Sequence, residues 1–217
     1  MPWIGFFDKM DKSDVFVILD CPDFNRRGLT HRNRIKTPNG ELLLTVPLRV
    51  KDQPIHDVII DDKQPWRHKH FEALNKNYAK SVYWKDHKES LQQLYDRAGS
   101  RLIDLTIPMI HYIRAALGIR TEVVLESEMG GQFGTGSERI ARICDELGAK
   151  VYLSGKGALA YNDASLYESY GIRLEYQHFQ HPIYQQLWGT FLPNLSIVDL
   201  LFNYGPDSLA LIRQYNP

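Results

Sequence analysis

Apolar segments of strand length alternate with segments of helix length through the second half of the chain. We predict strands at 121–126, 150–153 and 172–176, because each is a short run rich in apolar residues. Helices are predicted between them, at 136–147 and 163–170. A strand, a helix and a further strand in succession are typical of a βαβ unit with parallel strands. The sequence therefore predicts an α/β fold with an open, mainly parallel sheet and flanking helices, Rossmann-like in type.

The first half of the chain supplies further predicted strands and a helical segment. Residues 15–20 form a nearly continuous apolar run that ends in Asp20, which is typical of a buried strand. A polar, irregular loop rich in arginine is predicted over about 21–40. Strands are predicted at 42–48 and 57–60, then helices within about 66–118, at 66–79, 83–99 and 102–117, the last kinked or delayed by Pro108. The length of 217 residues suits one domain spanning 1–217.

The composition excludes several classes of partner. Lys and Arg together number 26, as do Asp and Glu, and zero net charge argues against nucleic acid as a partner. No apolar run approaches the roughly 20 residues of a membrane span, and the first residues do not resemble a signal peptide. Cys21 and Cys144 stand in no C-x-x-C pair, so we expect neither a structural zinc site nor a thioredoxin-type site. Two thiols in a chain of this size suit a reducing compartment, and we predict a cytoplasmic location, no metal ligands and no cofactor.

In open parallel sheets, ligands bind beyond the carboxyl ends of the strands. The predicted ends are residues 20–22, 126–136 and 154–157. Ser154 and Gly155 are small enough for a ligand to approach the backbone, and Lys156 could neutralise an anion. A tight turn between strand and helix is the alternative interpretation.

The segment 25–35 is the most unusual in the chain, with four arginines, one histidine and two asparagines. Arg32 and Arg34, with Arg27 as a weaker candidate, could bind phosphate or carboxylate through paired N–H groups. Asn33 and His31 add directional donors and acceptors. A solvated basic loop, or arginines paired with nearby acids, is the alternative.

Lys69 and His70 lie on the first predicted helix of the 66–118 segment. His68 and His70 are two residues apart, so their rings point to different helix faces and do not form a metal site. Lys69 could contact an anion and His70 could carry a proton, while an ordinary charged helix surface stays open as the alternative. Thr135 and Glu138 have the spacing of a capping box at the helix that follows the glycine-rich loop 130–136.

An ordered set of short motifs runs along almost the entire chain. In the first half these are Pro2-Trp-Ile-Gly-Phe-Phe, Asp14-Val-Phe-Val-Ile-Leu-Asp20, Arg27-Gly28, His31-Arg-Asn-Arg-Ile35, Leu44-Thr-Val-Pro47, Trp66 with Lys69-His70, and Tyr78-Ala-Lys-Ser-Val-Tyr83. In the second half they are Gly136-Ser-Glu-Arg-Ile-Ala-Arg-Ile-Cys-Asp-Glu-Leu-Gly-Ala149, Tyr152-Leu-Ser-Gly155 with Tyr161, and Leu195-Ser-Ile-Val-Asp-Leu-Leu-Phe-Asn203. With this ordered set the chain resembles the WbqC-like protein family.

The resemblance implies a role in bacterial surface-polysaccharide biosynthesis, such as that of O-antigen and lipopolysaccharide. We expect a transferase that moves a small acyl or aminoacyl group onto a nucleotide-linked amino sugar, so the partner is a small anionic molecule, either a nucleotide sugar or an activated acyl donor. The expected catalytic residues are His31, His70 and Asn33. The expected substrate-binding residues are Arg27, Arg32, Arg34, Lys69, Ser154, Gly155, Lys156 and Tyr161.

Two other functions stay open. One is a non-catalytic protein that binds sugar nucleotides or acts as a scaffold in the same pathway. The other is nucleotidyl transfer, by fold analogy with adenylyl-transferring enzymes, although this chain lacks the histidines of their H-x-G-H motifs. Members of the WbqC-like family begin with a hydrophobic strand and a Q-P-x-Y-F-P turn, and this chain starts inside that turn. Trp188-Gly-Thr-Phe191 looks exposed and suggests a homodimer surface.

Overall fold

The computed structural model describes residues 1–49 and 52–217 of the chain. Its helices are α1 (Ile4–Asp11), α2 (Trp66–Tyr78), α3 (Trp84–Arg97), α4 (Leu102–Leu117), α5 (Gly136–Glu146), α6 (Ala164–Ser169), α7 (Val198–Tyr204) and α8 (Ser208–Tyr215). Its strands are β1 (Val15–Ile18), β2 (Arg32–Thr37), β3 (Gly40–Thr45), β4 (Leu48–Arg49), β5 (Ile59–Ile60), β6 (Glu122–Leu125), β7 (Val151–Ser154) and β8 (Arg173–Tyr176). Most elements predicted between residues 66 and 176 lie within two residues of these bounds.

The strands of the described ranges form four two-stranded sheets. Strands β1 and β6 pair in parallel, as do β7 and β8, while β2 pairs with β3 and β4 with β5 in antiparallel fashion. The mixed α/β class is therefore confirmed, and the extended, open Rossmann-like sheet is wrong. Strand and helix alternation identifies parallel strands, but it does not determine which pairs of short strands join into a larger sheet.

A β-hairpin occupies much of the segment predicted to be an irregular loop. Strand β2 pairs with β3 from Arg32 opposite Thr45 to Thr37 opposite Gly40. Gly40 has a φ of 103°, a conformation that favours glycine, and it closes the turn after Asn39. Ile35 and Lys36 of β2 are buried. The polar character of 25–35 therefore hid the start of a strand, because Arg32, Asn33 and Arg34 are polar strand residues that are not buried.

The main hydrophobic core joins the N-terminal helix, the hairpin, the three central helices and the C-terminal helices. Its fully buried members include Phe7, Ile35, Leu74, Tyr78, Leu91, Leu102, Ile113 and Phe202. Helix α4 begins at Leu102 as predicted, and Pro108 lies inside it without delaying its start. The carboxylate of Asp104 accepts a hydrogen bond of 2.9 Å from the main-chain N–H of Arg101 and so caps that helix.

A second, smaller hydrophobic cluster lies between α5, α6 and the strands β7 and β8. It consists of Ala141, Cys144, Tyr167 and Ile172, all buried. Thr135 precedes α5 but makes no side-chain cap hydrogen bond, so the capping box predicted there is wrong. Glu138 instead forms an ion pair of 2.6 Å with Arg142, one helical turn further on.

The longest of the described helices, α4, has 16 residues. A membrane-spanning helix needs about 20 apolar residues. Among residues 1–49 and 52–217, no helix combines the length and the apolar composition for such a span.

The aromatic residues Trp188 and Phe191 are half-buried, where the sequence suggested exposure. The indole N–H of Trp188 donates a hydrogen bond of 2.9 Å to the main-chain oxygen of Asn77. The ring of Phe191 packs edge-on against Tyr184, with centroids 5.4 Å apart. The expectation of exposed aromatic rings is therefore wrong, because the two rings pack on the protein's own helices and loops.

Candidate functional site

The parallel pairing of β1 and β6 brings their carboxyl ends to one edge of the molecule. Ile18 pairs with Leu125, so Asp20 and residues 126–128 follow at the same edge. Asp20 is only 1% exposed. Its carboxylate accepts hydrogen bonds from the main-chain N–H of Ser127 at 3.0 Å and from the Ser127 hydroxyl at 2.6 Å. These two bonds account for the burial of an acidic group and fix its orientation.

His56 reaches the same edge from a different part of the chain. It lies in a short 3-10 turn, Ile55–Asp57, whose main-chain N–H at His56 donates to the carbonyl oxygen of Asp20 at 2.9 Å. The imidazole Nδ1 lies 3.0 Å from that same oxygen. Because a carbonyl oxygen only accepts hydrogen bonds, Nδ1 carries a proton in this contact. The other ring nitrogen, Nε2, lies 3.7 Å from the carboxylate of Asp57.

Cys21 and Glu126 complete this cluster. Glu126 is 4% exposed and forms an ion pair of 3.2 Å with Arg139 of α5. Burial raises the pKa of Glu126, and the Arg139 guanidinium opposes that rise. Burial, Glu126 and Asp20 together raise the pKa of the Cys21 thiol, so it is protonated at neutral pH.

An open cleft of about 470 Å³ adjoins the cluster. Its charged and polar lining residues are His56, Arg101, Asp104, Ser127 and Glu128. Apolar residues of α4 and β6 form the remaining wall. A cleft of a few hundred Å³ that carries both signs of charge is large enough for a small charged ligand.

Four of the residues predicted from the sequence line a different, much smaller cavity. His31, Arg32, Asn33 and His70 surround a space of about 30 Å³. The His70 Nε2–H donates to the main-chain oxygen of Thr45 at 3.1 Å. The structure thus brings the three predicted catalytic residues together, but the space between them has room for about one water molecule.

Burial controls the charge of the two histidines in this cavity. It lowers the pKa of His70 to about 4. Burial, followed by the positive charge of Arg32, lowers the pKa of His31. Nδ1 of His31 is buried and has no hydrogen-bond partner within the described part of the chain. Both imidazoles are therefore neutral at pH 7.

Two of the three arginines that were predicted to bind an anion already bond to other groups of the protein. The guanidinium of Arg32 donates to the main-chain oxygens of Gly28 at 3.1 Å and Arg27 at 2.7 Å. Arg34 forms an ion pair of 2.9 Å with Glu41 of the facing strand. The amide of Asn33 donates to the main-chain oxygen of Met1 at 2.8 Å. Arg27 and, on α2, Lys69 are exposed.

The other predicted binding residues follow the end of β7. Ser154 is fully buried, and its hydroxyl accepts a hydrogen bond of 3.0 Å from Asn162. Lys156 is exposed in a 3-10 turn, and Tyr161 is 72% exposed. No atom lies within 4 Å of the position where a Cβ on Gly155 would stand. In the described ranges, no hydrogen bond, ion pair or ring contact joins these residues at the end of β7 to the predicted site residues at 31–34.

Part of the cluster beside the large cleft could be predicted from the sequence. The predicted strand ends, residues 20–22 and 126–136, contain Asp20, Cys21, Glu126 and Ser127. His56 was not predicted, because it lies between two short strands in an ordinary turn sequence. Only the main-chain bond from His56 to the Asp20 carbonyl shows that the two belong together.

Comparison with known proteins places this architecture in a family. The model of the WbqC-like protein family matches residues 1–211. A protein of Mycobacterium tuberculosis, described as the uncharacterized protein Rv1507c, is 34% identical over 223 residues, which cover 99% of this chain and 95% of that protein. No solved structure matches the chain. The length of the match and the identity to this relative show that the chain belongs to the WbqC-like protein family.

Proposed function

We propose that this WbqC-like protein is a cytoplasmic transferase of bacterial surface-glycan biosynthesis. Its reaction would move a small acyl or aminoacyl group onto a nucleotide-linked amino sugar, a precursor of glycans such as O-antigen and lipopolysaccharide. The observation that carries the proposal is the open cleft of about 470 Å³ at the carboxyl ends of β1 and β6. That edge is where α/β proteins bind their ligands.

The charges of the cleft match those of the proposed acceptor. A nucleotide-linked amino sugar has an anionic diphosphate at one end and an ammonium group at the other. Arg101 lines the cleft and is half-exposed, and its guanidinium forms an ion pair of 3.1 Å with Asp104. Phosphate oxygens would have to replace that carboxylate to bind the guanidinium in a paired geometry. Glu128 lines the same cleft and offers its carboxylate to the ammonium, whereas the carboxylate of Asp104 is held by Arg101.

The proposed reaction needs a proton acceptor, because an ammonium group must lose a proton before its nitrogen attacks an acyl carbon. Glu128 is exposed in the cleft and can take that proton once the ammonium is bound beside it. When the nitrogen has attacked the acyl carbon, the bond to the leaving group breaks and the leaving group departs with the second proton of that nitrogen, while Glu128 returns the first proton to solvent. Charge matching and proximity are the contributions that this chain's own residues make.

The site residues predicted from the sequence have secondary roles in the proposal. Arg27, Lys69 and Lys156 are exposed cations available to a phosphate. Arg32 and Arg34 would have to exchange their present partners for one. His31, Asn33 and His70 would act in proton transfer only if the small cavity around them widened. Ser154, Gly155 and Tyr161 would shape a pocket at the end of β7.

Binding and turnover of nucleoside-diphosphate amino sugars test the proposal. We expect calorimetric binding that weakens about tenfold in Glu128→Gln, since one charge contact of roughly 1.4 kcal/mol is lost. Glu146→Gln, an exposed glutamate at the end of α5, is the matched control and should bind like the parent. Arg34→Ala tests the hairpin in the same titration.

The outcome also separates the other functions. Binding of the nucleotide sugar without any acyl transfer would indicate a binding or scaffold protein of the same pathway. Turnover of ATP with release of pyrophosphate would indicate nucleotidyl transfer. If neither the amino sugar nor an activated acyl donor binds, the transferase proposal is wrong.

We also propose a homodimer, although its predicted aromatic surface is half-buried. Light scattering of the purified chain at micromolar concentration measures the mass directly. A mass near 25.2 kDa, that of one chain, would contradict the proposal.

A further inference from the structure

A mixed set of donor atoms meets beside the cleft. One carboxylate oxygen of Asp20, the sulfur of Cys21 and a ring nitrogen of His56 all lie within 4.8 Å of one another. Carboxylate, thiolate and imidazole are the three ligand types of zinc sites in proteins. A soft sulfur ligand also argues against magnesium or calcium, which prefer oxygen alone. The donor set therefore selects a divalent transition metal ion.

Neighbouring groups hold two of these ligands in place. Both oxygens of Asp20 accept hydrogen bonds from Ser127, at 3.0 Å and 2.6 Å. The Nδ1–H of His56 donates to the main-chain oxygen of Asp20 at 3.0 Å. Metal-binding histidines and carboxylates commonly have such outer partners, which fix the ligand before the ion arrives. The site is thus oriented by the protein itself.

The local charge favours a cation. Asp20 and Glu126 are buried carboxylates within electrostatic reach of Cys21, and Arg139 opposes their effect on the thiol. The field of the two carboxylates makes a third anion, the thiolate, unfavourable. A bound divalent ion reverses that effect, because it compensates the carboxylates and displaces the thiol proton.

We propose that Asp20, Cys21 and His56 bind one divalent transition metal ion, with Zn²⁺ as the ion that best fits the donors. His56 and Ser127, which bonds to Asp20, both line the large cleft, so the proposed ion would lie beside the cleft. Such an ion would supply a Lewis acid at the cleft. The proposal does not depend on the transferase function, since the three ligands bind metal whatever the cleft accepts.

The proposed metal site was not predicted from the sequence, because its ligands lie far apart along the chain. Cys21 is in no C-x-x-C pair, and the imidazole that joins it comes from a turn much later in the chain. The pairing of Asp20 and His56 depends on the 3-10 turn Ile55–Asp57 folding back onto the end of β1, through main-chain bonds of Ile55 to Pro22 and His56 to Asp20.

Cobalt substitution tests this site without any knowledge of the substrate. We expect the chelator-treated protein to bind one Co²⁺ ion per chain, with a near-ultraviolet absorption band from thiolate-to-cobalt charge transfer. Zn²⁺ added afterwards should abolish the band. Cys21→Ser should remove the near-ultraviolet band, and His56→Gln should weaken Co²⁺ binding at least tenfold.

The second cysteine provides the matched control. Cys144 is buried in the small second cluster, where burial raises its thiol pKa to about 11. Cys144→Ser should therefore leave the cobalt spectrum unchanged. Absence of the band in the parent protein, or its persistence in Cys21→Ser, would overturn the proposal. Circular dichroism of each variant separates loss of a metal ligand from loss of the fold. Asp20→Asn changes the third proposed ligand and tests the site independently of Cys21 and His56.

Discussion

Asp199 shows how a single buried carboxylate can join distant parts of this chain. It is fully buried and accepts hydrogen bonds from the hydroxyls of Tyr78 at 2.7 Å and Tyr184 at 2.9 Å. The Tyr78 hydroxyl in turn accepts a bond of 2.9 Å from the main-chain N–H of Lys36. The carboxylate of Asp199 therefore links four parts of the chain by hydrogen bonds: helix α7, the end of α2, strand β2 and the loop at 184.

Removal of this acid should destabilise the fold more than removal of one of its donors. Asp199→Ala leaves two buried hydroxyls without their acceptor, at a cost of roughly 1–3 kcal/mol each, so we expect a loss of about 4 kcal/mol. Tyr184→Phe removes one donor and should cost about 1–2 kcal/mol. Urea unfolding measures both. Equal losses would show that Asp199 is not the shared acceptor of the network.

The buried imidazole of His70 makes the free energy of unfolding depend on pH in the acid range. Its pKa is about 4 in the folded protein and 6.5 in the unfolded chain, so between these values the unfolded chain binds the additional proton. Stability is therefore unaffected above pH 6.5 and falls as the pH drops toward 4, by roughly 3 kcal/mol in total. His70→Gln keeps a donor for the Thr45 oxygen but does not titrate.

We expect the slope of unfolding free energy against pH to be smaller in His70→Gln than in the parent. The slope does not vanish, because burial also lowers the pKa values of His31, His87 and His181. Urea unfolding at pH 4.5, 5.5 and 7.5 provides the comparison. Identical slopes would mean that His70 is accessible to protons in the folded state.

At the scale of elements, local sequence signals predicted most helices and short strands, but they did not predict which strands pair. Apolar periodicity, Gly118 and the apolar run at 15–20 marked α2 to α4, β1 and β6 within two residues. The hairpin strand β2 was missed because its burial comes from non-local contacts of Ile35 and Lys36. Strand pairing depends on contacts between remote segments, which periodicity does not encode.

Two glycines at helix ends should differ sharply in their tolerance of alanine. Gly205 has a φ of 53° and a ψ of −127°, and an added Cβ would stand 2.5 Å from the ring of Tyr83. Gly118 has a φ of 75°, with nothing within 4 Å of such a Cβ. We expect Gly205→Ala to cost about 3 kcal/mol or more through strain and overlap.

Gly118→Ala is the matched control, because it makes the same chemical change at a left-handed position in open space. It should cost about 1 kcal/mol, the usual penalty of a left-handed conformation. Thermal unfolding of both variants provides the measurement. A Gly205→Ala variant as stable as Gly118→Ala would mean that the Tyr83 ring moves aside freely.

At the scale of the whole molecule, the candidate sites are separated in a way that the sequence could not show. Strand ends predicted the position of Asp20, Cys21 and Glu126, because the carboxyl ends of parallel strands meet. The hairpin residues were chosen for their charge, and the structure engages Arg32 and Arg34 in bonds of its own. A charged side chain's partner is set by the tertiary fold, so composition alone does not distinguish a free guanidinium from an engaged one.

The small second cluster sets the order in which parts of the molecule open to solvent. Ala141, Cys144, Tyr167 and Ile172 bury far less apolar surface than the main core, so separating β7 and β8 costs less free energy than global unfolding. Their amide hydrogens should exchange with deuterium faster than those of α4. Mass spectrometry of exchanged peptides measures this, and uniform rates would contradict it. The buried Ser154 would then become accessible to solvent on a timescale of its own, while the main-chain amides of β1 and β6 stay protected from exchange.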